Sequence, residues 1–221
     1  MTLVEEYGNK YSSFKYLNCY GPEIEFFGYQ FELLQKYIDG YDFNRLTCLD
    51  LGCGFGIKTY YLSQKFKQVV GADFIENIVN VNKLLNDNRN LEFIVYDFNS
   101  DSKLEEKFDC VTALGFSMLN IKDVSKYISN IEKIFELTNE NGVLIIWSFS
   151  DFSGKAPSGW YNHSKNELNE IVSLLKKNYK HVDLIYPYNK VALKDFFSIK
   201  GLKRIIRFFL RKKYYFLIIN K

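Results

Sequence analysis

The chain has 221 residues, 47% hydrophobic and 25% charged, enough for one substantial core and too few for two comfortable domains. Its net charge of +3 is uneven, with ten basic residues and a single acid, Asp195, from Lys190 onward. No apolar run approaches the ~20 residues of a membrane span, and the opening MTLVEEYGNK has acids where a signal peptide needs an apolar stretch. Cys19, Cys48, Cys53 and Cys110 form no CxxC pair and no Cys/His array with metal spacing. Reduced thiols in a cytoplasmic protein, without a metal, are therefore expected.

Strand-like and helix-like segments alternate along the chain, which argues for a mainly parallel sheet with helices on both faces. Residues 22–39 read as a helix, with Pro22 in its first turn, Ile24, Phe27, Phe31, Leu34 and Ile38 on one face, and Gly40 as its stop. Strand 1 is expected at 46–51, followed by a glycine cluster and a helix from about Ile57. Strand 2 spans 68–72 and is closed by Asp73; a helix covers 75–86; strand 3 spans 91–96 and is closed by Asp97. Strand 4 is placed at 108–114, and a helix at 123–137 carries Val124, Ile128, Ile131 and Phe135 on one face. Asn141-Gly142 makes a turn into strand 5 at 143–149. After a loop at 150–163, Ser164 and Glu167 form a capping-box pattern. Strand 6 at 182–186, a helical stretch at 192–210 and a last strand at 214–219 complete the chain. The last strand is a candidate to run antiparallel beside strand 5.

The strongest local signal is LDLGCGFG, residues 49–56, where an apolar strand turns into a helix. Glycines there permit positive φ and let the backbone approach a ligand without a Cβ clash, and the helix that follows presents free N–H groups. Asp50 suits an ammonium, or fixes the loop by hydrogen bonds. Gly52, Gly54 and Gly56 give a GxGxG spacing, whereas a dinucleotide fingerprint reads GxGxxG. Asp73, at the end of strand 2, is placed to accept hydrogen bonds from both hydroxyls of a ribose, and Phe74 offers a flat face to an adenine. Asp97 can accept from an adenine amine, and the backbone N–H beside it can donate to a ring nitrogen. Three successive strands thus end in an Asp at the carboxyl edge, where open α/β sheets bind ligands.

At these residues the chain resembles the class I S-adenosylmethionine (SAM)-dependent methyltransferases. LDLGCGFG looks like the first motif of that family, Asp73 like its ribose-binding acid, and YDF at 96–98 like its adenine-binding segment. KFDCVTALGFSML at 107–119 and NGVLIIWSF at 141–149 look like the segments carrying strands 4 and 5. The resemblance implies a single-domain Rossmann-like α/β fold with a seven-stranded sheet and SAM as cofactor. It implies Asp50, Gly52, Cys53, Gly54, Gly56, Asp73, Phe74, Asp97, Phe98 and Leu114 as cofactor-binding residues. It also divides the chain into an N-terminal arm and helix at 1–45, part of a lid over cofactor and acceptor, and a core at 46–221. Tyr7, Tyr11, Tyr16, Tyr20, Lys15 and Lys58 are candidates to meet the methionine carboxylate, with a packed aromatic arm as the plainer reading.

His163, in GWYNHS, is the candidate catalytic base, since imidazole titrates near neutrality; an exposed histidine beside a helix cap is the plainer reading. Trp160 and Tyr161 are candidates to stack on an acceptor or to anchor the loop. Strand 4 ends in ALGFS rather than Asn/Asp-Pro-Pro-Tyr, there is no Pro-Cys nucleophile, and no inserted domain is present to read a nucleic acid. A small-molecule acceptor, a sugar or nucleotide-sugar among them, fits these absences. The basic segment LKRIIRFFLRKK, 202–213, reads as a helix with a solvated basic face, or as a contact to an anionic acceptor or membrane surface. The rival functions are an NAD(P)-dependent oxidoreductase, an aminopropyl transferase and a SAM-binding protein without turnover.

Overall fold

The computed structural model describes residues 27, 28, 31, 32, 34, 41–100, 104–156, 159–186 and 214–220. Outside them lie the N-terminal tyrosines, Lys15 and Cys19, most of the helix expected at 22–39, the helix expected at 192–210 and the basic segment 202–213. The chain divides into two compact units, Met1–Val111 and Thr112–Lys221.

In the first unit a single turn of 3-10 helix, Phe43–Arg45, leads into β1 (Thr47–Leu51). Then come α1 (Ile57–Ser63), β2 (Gln68–Asp73), α2 (Glu76–Leu85) and β3 (Leu91–Val95). β1 pairs parallel with β2, and β2 with β3. Cys48, Leu49 and Leu51 of β1 and Val69, Val70 and Ala72 of β2 are all buried, as in parallel strands covered on both faces, with Asp50 the one polar side chain in that run. Phe27, Phe31 and Leu34 are helical and buried as their spacing predicts. The two rings pack edge-on against Tyr61, whose hydroxyl donates to the Gly28 carbonyl at 3.2 Å. β4 (Phe108–Leu114) matches its expected bounds, and the Asp109 carboxylate ties it to β1 by accepting from Thr47 N at 2.9 Å and Thr47 Oγ1 at 3.0 Å.

The Phe93 ring explains two glycines of this unit. A Cβ on Gly71 would come within 2.7 Å of that ring, and one on Gly56 within 2.8 Å. Gly71 is a mid-strand glycine that gives up strand propensity so that an aromatic side chain can lie flat over the backbone.

In the second unit a 3-10 turn, Ser117–Leu119, precedes α3 (Val124–Phe135), whose N-cap Asp123 accepts from Lys126 N. Its buried stripe is Tyr127, Ile131, Ile134 and Phe135, with Val124 and Ile128 only half-buried at its margin. The face is therefore rotated from the expected one because an aromatic residue, Tyr127, takes the central place. β5 (Thr138–Phe149) begins earlier than the expected 143. Gly142 still marks a tight return there, since a Cβ on it would come within 2.7 Å of the Thr138 Cβ. α4 (Lys165–Leu175) opens with the anticipated capping box between Ser164 and Glu167. β6 (His181–Ile185) follows, and β7 (Tyr214–Asn220) pairs antiparallel with both β5 and β6.

Seven strands form one sheet in the order β3-β2-β1-β4-β5-β7-β6. The sheet is mixed, and this corrects the mainly parallel expectation. One reversed strand inserted between two neighbours makes two antiparallel ladders, so β7 alone changes the character of its half of the sheet.

Gly71→Ala should lower stability by about 1–3 kcal/mol, the cost of forcing an extra carbon into a packed core. Urea denaturation of the wild type and the variant checks it, and equal midpoints would show that Phe93 yields at no cost.

Candidate functional site

The end of β2 organises the loop after β1. The Ala72 carbonyl accepts from Gly52 N at 2.8 Å and Cys53 N at 3.0 Å. Asp73 takes the next two donors: Oδ2 accepts from Gly54 N at 2.9 Å and Oδ1 from Ile75 N at 3.0 Å. Burial raises the Asp73 carboxyl above its ordinary value, against the pull of the Ile75, Gly54 and Phe74 N–H groups. A carboxylate offers about four lone-pair sites, so these N–H groups still leave room for a further donor such as a ribose hydroxyl.

The three loop glycines divide the work. Gly52, Gly54 and Gly56 have φ of 68°, 52° and 70°. Gly56 is the left-handed residue that opens α1 and lies under Phe93. A Cβ on Gly54 would meet nothing within 4 Å. Its bare backbone therefore faces open space, the cradle that a close-fitting ligand needs. From α2, Asn82 holds the same residue, donating from Nδ2 to the Gly54 carbonyl at 2.7 Å. Asn82 was not singled out from the sequence; its signal was a polar residue one turn after Ile78 and Val79 on a buried helical face.

Asp50 is fully buried and accepts from Thr59 Oγ1 at 2.6 Å, which ties the end of β1 to α1. Burial, reinforced by Asp50 and Asp73, pushes the Cys53 thiol well above its ordinary value. Cys53 therefore stays protonated and contributes as a small loop residue, not as a nucleophile.

At the end of β3 Tyr96 N donates to the Asp73 carbonyl at 2.9 Å, which brings the 96–98 segment beside Asp73. Asp97 is exposed and its Oδ1 accepts from Asn99 N at 2.8 Å. Phe74 is half-buried and Phe98 is buried. The Phe98 ring thus belongs to the core, leaving its backbone N–H as the group that could meet a ligand.

The second unit contains Leu114, buried at the end of β4, and the loop at 150–163. Gly115, with φ of 79°, follows Leu114 and donates its N–H to the Trp147 carbonyl at 2.8 Å. The loop is fixed at several points. Asn120 clamps the backbone of Tyr161 from both sides, Nδ2 donating to its carbonyl and Oδ1 accepting from its N–H, each at 2.8 Å. Ser150 Oγ donates to the His163 carbonyl at 2.6 Å and accepts from Phe152 N at 2.9 Å. The Tyr161 hydroxyl donates to Glu167, whose other oxygen accepts from Ser164 N and Oγ. Burial opposes ionisation of Glu167, but these bonds from Tyr161 and Ser164, with His163 nearby, hold its carboxyl below the ordinary value.

His163 is not an exposed loop residue. It is 1% exposed, and Nε2 lies 2.9 Å from the Ile121 carbonyl. A carbonyl only accepts, so Nε2 carries the proton. Burial lowers the imidazole pKa, against the Ile121 contact and Glu167, and the ring is neutral with its lone pair on Nδ1.

The family model for a methyltransferase domain matches residues 48–137. The probable S-adenosyl-L-methionine-dependent methyltransferase TehB of Haemophilus influenzae is 30% identical over 128 residues, covering 55% of this chain. This chain spans less than half of that relative, 43% of its length. Among solved structures, the plantazolicin methyltransferase BpumL, in complex with a monoazolic analogue and SAH, superposes with a TM-score of 0.63 at 15% identity, over 99% of this chain and 94% of that one. The N-methyltransferase NodS of Bradyrhizobium japonicum superposes with a TM-score of 0.58 at 13% identity, over 92% and 98%. Residues 48–137 thus match the model of a methyltransferase domain, in a chain that shares its fold with solved methyltransferases.

Proposed function

We propose that this protein is a SAM-dependent methyltransferase that acts on a small-molecule acceptor. The observation that carries the reading is the loop after β1. Its Gly54 backbone is open on one side and held from the other by Asp73 and Asn82. Asp73 would receive the ribose hydroxyls. Phe74, exposed Asp97 and the Phe98 N–H would meet the adenine, and Gly52 to Gly56 the methionine portion. SAM supplies the electrophilic methyl group when bound. The chain's own part is to align the acceptor with it and to exclude water.

A hydroxyl or amine of a sugar or nucleotide-sugar is the acceptor class that the missing nucleic-acid and amide motifs favour. Residues 1–45 are read as the arm that closes over the site. Cys48, Cys53 and Cys110 are free thiols, which supports a cytoplasmic setting. Among the described residues no helix is long and apolar enough to cross a membrane.

His163 enters this reading as a positioning residue that pins the 150–163 loop through Ile121. The role of base, expected from the sequence, would require a substrate proton at Nδ1, its one remaining lone pair. Glutamine at 163 keeps an N–H for the Ile121 carbonyl and removes the imidazole. A positioning role predicts that His163→Gln retains turnover with an unchanged pH profile while His163→Ala loses it; loss in both would return His163 to the chemistry.

Calorimetric titration with SAM, its demethylated product and NADH tests the proposal. The first two should bind and NADH should not. Binding of NADH alone would favour the oxidoreductase, and SAM binding without turnover across an acceptor screen would favour the nonenzymatic reading. Asp73→Ala should weaken SAM by about 1–3 kcal/mol through lost charge-assisted hydrogen bonds. Gly54→Val should abolish binding, because the new side chain occupies the open side of the loop. Circular dichroism must show both variants folded, and normal SAM affinity in both would overturn the site.

His163 also gives a pH dependence. Its folded pKa is below the ordinary 6.5, so the unfolded chain takes up the proton first as pH falls. The stability that comes from keeping the ring neutral is complete above pH 6.5 and is lost as pH falls toward and through the folded pKa. Urea midpoints measured from neutral pH downward should fall more steeply for the wild type than for His163→Gln. Parallel curves would show that the buried ring is not what titrates.

A further inference from the structure

β5 and β6 both pair antiparallel with β7. They therefore run parallel to each other and end against the start of β7, Phe149 opposite Tyr214 and Ile185 opposite Phe216. Two aromatic residues leave the sheet at that edge. Phe152 lies three residues beyond β5, and Tyr186 is the first residue beyond β6. Their rings stand nearly perpendicular, at 82° with centroids 5.3 Å apart, and form the two walls of a corner. The Lys165 ammonium lies over both, 5.7 Å from the Phe152 centroid and 5.6 Å from that of Tyr186. Both distances fall inside the ~6 Å within which a ring face attracts a cation. One positive charge is thus shared between two rings.

The backbone is strained to place the first wall. Phe152 has φ of 61°, and among the described residues no other non-glycine residue has a positive φ. Hydrogen bonds hold it there. Its N–H donates to Ser150 Oγ at 2.9 Å, and that hydroxyl donates to the His163 carbonyl at 2.6 Å. Two residues on, the Gly154 N–H donates to the Asn162 carbonyl at 2.9 Å. Glycine would make the same turn without strain, so what the loop gains from phenylalanine is the ring. At the second wall the Tyr186 hydroxyl is buried, and burial raises its pKa above the ordinary value. The phenol stays protonated, so neither wall carries a charge. Half-buried Phe152 and Tyr186 offer ring faces, not hydrogen-bonding groups.

Lys165 is a poor permanent occupant of this corner. It is exposed, and it is the first residue of α4, the end of a helix where a positive charge is disfavoured. Its ammonium is also strongly hydrated, whereas uncharged ring faces best hold a cation that sheds its water easily. We infer that Phe152 and Tyr186 form a binding site for a small alkylated ammonium ion, with the Lys165 side chain as the chain's own displaceable occupant. A quaternary ammonium suits the walls best, because it needs no hydrogen-bond acceptor and presents methyl groups to both rings. All three residues belong to the second unit, so the site holds whether or not SAM binds to this chain.

The test uses the full chain without SAM. The probes are choline and the uncharged alcohol in which a carbon atom replaces its nitrogen, two molecules of one shape that differ in charge. Saturation-transfer NMR of their methyl protons, followed through a titration, reads both affinities. Choline should bind and the alcohol should not. Lys165→Met removes the competing cation and should raise choline affinity several-fold. Phe152→Gly removes a wall at a φ that glycine adopts freely; it should stay folded by circular dichroism and lose choline binding, as should Tyr186→Leu. Equal binding of choline and the alcohol would reduce the corner to an apolar patch and overturn the inference. So would choline affinity that does not rise in Lys165→Met, or that survives in folded Phe152→Gly.

Discussion

The Asp73 carboxylate joins two pieces of chain that would otherwise part. Through one oxygen it takes the N–H of Gly54, in the loop after β1, and through the other the N–H of Ile75, just ahead of α2. The neighbouring Ala72 carbonyl takes two more donors from the same loop. A loop with three residues at positive φ has little conformational preference of its own, because glycine pays the largest entropic cost of being fixed. Its shape is imposed from outside, by the end of β2 and by Asn82. The residue assigned to ribose recognition is thus also the one that sets the backbone around the ligand. On the proposed site, one side chain would serve both loop order and binding.

The second unit obeys a different rule, the period of two along a strand. On one face of the β5–β7 pair, Trp147 stacks on Tyr214 at 4.9 Å and Phe149 lies 4.8 Å from the same ring. Ser148 and Tyr215, paired across the ladder, point to the opposite face, where Tyr127 and His163 meet them. Apolar aromatic packing and a polar interior are separated by one strand thickness. A one-residue slip of β7 would exchange the two, so the register is strongly specified.

Much of the first unit was legible in the sequence because its signals are local. A strand, a glycine cluster and an acid at the next strand end can be read without knowing what touches them, and β4 and the capping box at Ser164 fell where expected. What the sequence hid depends on distant partners. His163 looks like an exposed loop residue beside a helix cap until Ile121, 42 positions away, is brought to its ring. The asparagines carry no local signal, yet Asn82, Asn90 and Asn120 each hold a distant backbone group, with Asn90 reaching the Ser63 carbonyl at 2.7 Å. Gly71 has no meaning until the Phe93 ring lies on it. The last strand does run antiparallel beside strand 5, as the sequence reading allowed, but an apolar run at 214–219 carries no sign that β6 would lie on its other side.

The position of β7 also fixes an order of events during synthesis. β6 hydrogen-bonds to β7 and stands at the edge of the sheet, so when it leaves the ribosome its strand partner has not yet been made. More than a helix length of chain, residues 186–213, must follow before Tyr214–Asn220 can enter between β5 and β6. Until then β5 keeps an open edge and β6 lacks its ladder partner. Such unpaired strands are where nascent chains aggregate or recruit chaperones. In this unit the sheet cannot grow outward strand by strand as the chain emerges; it closes inward, around a strand translated after both of its neighbours.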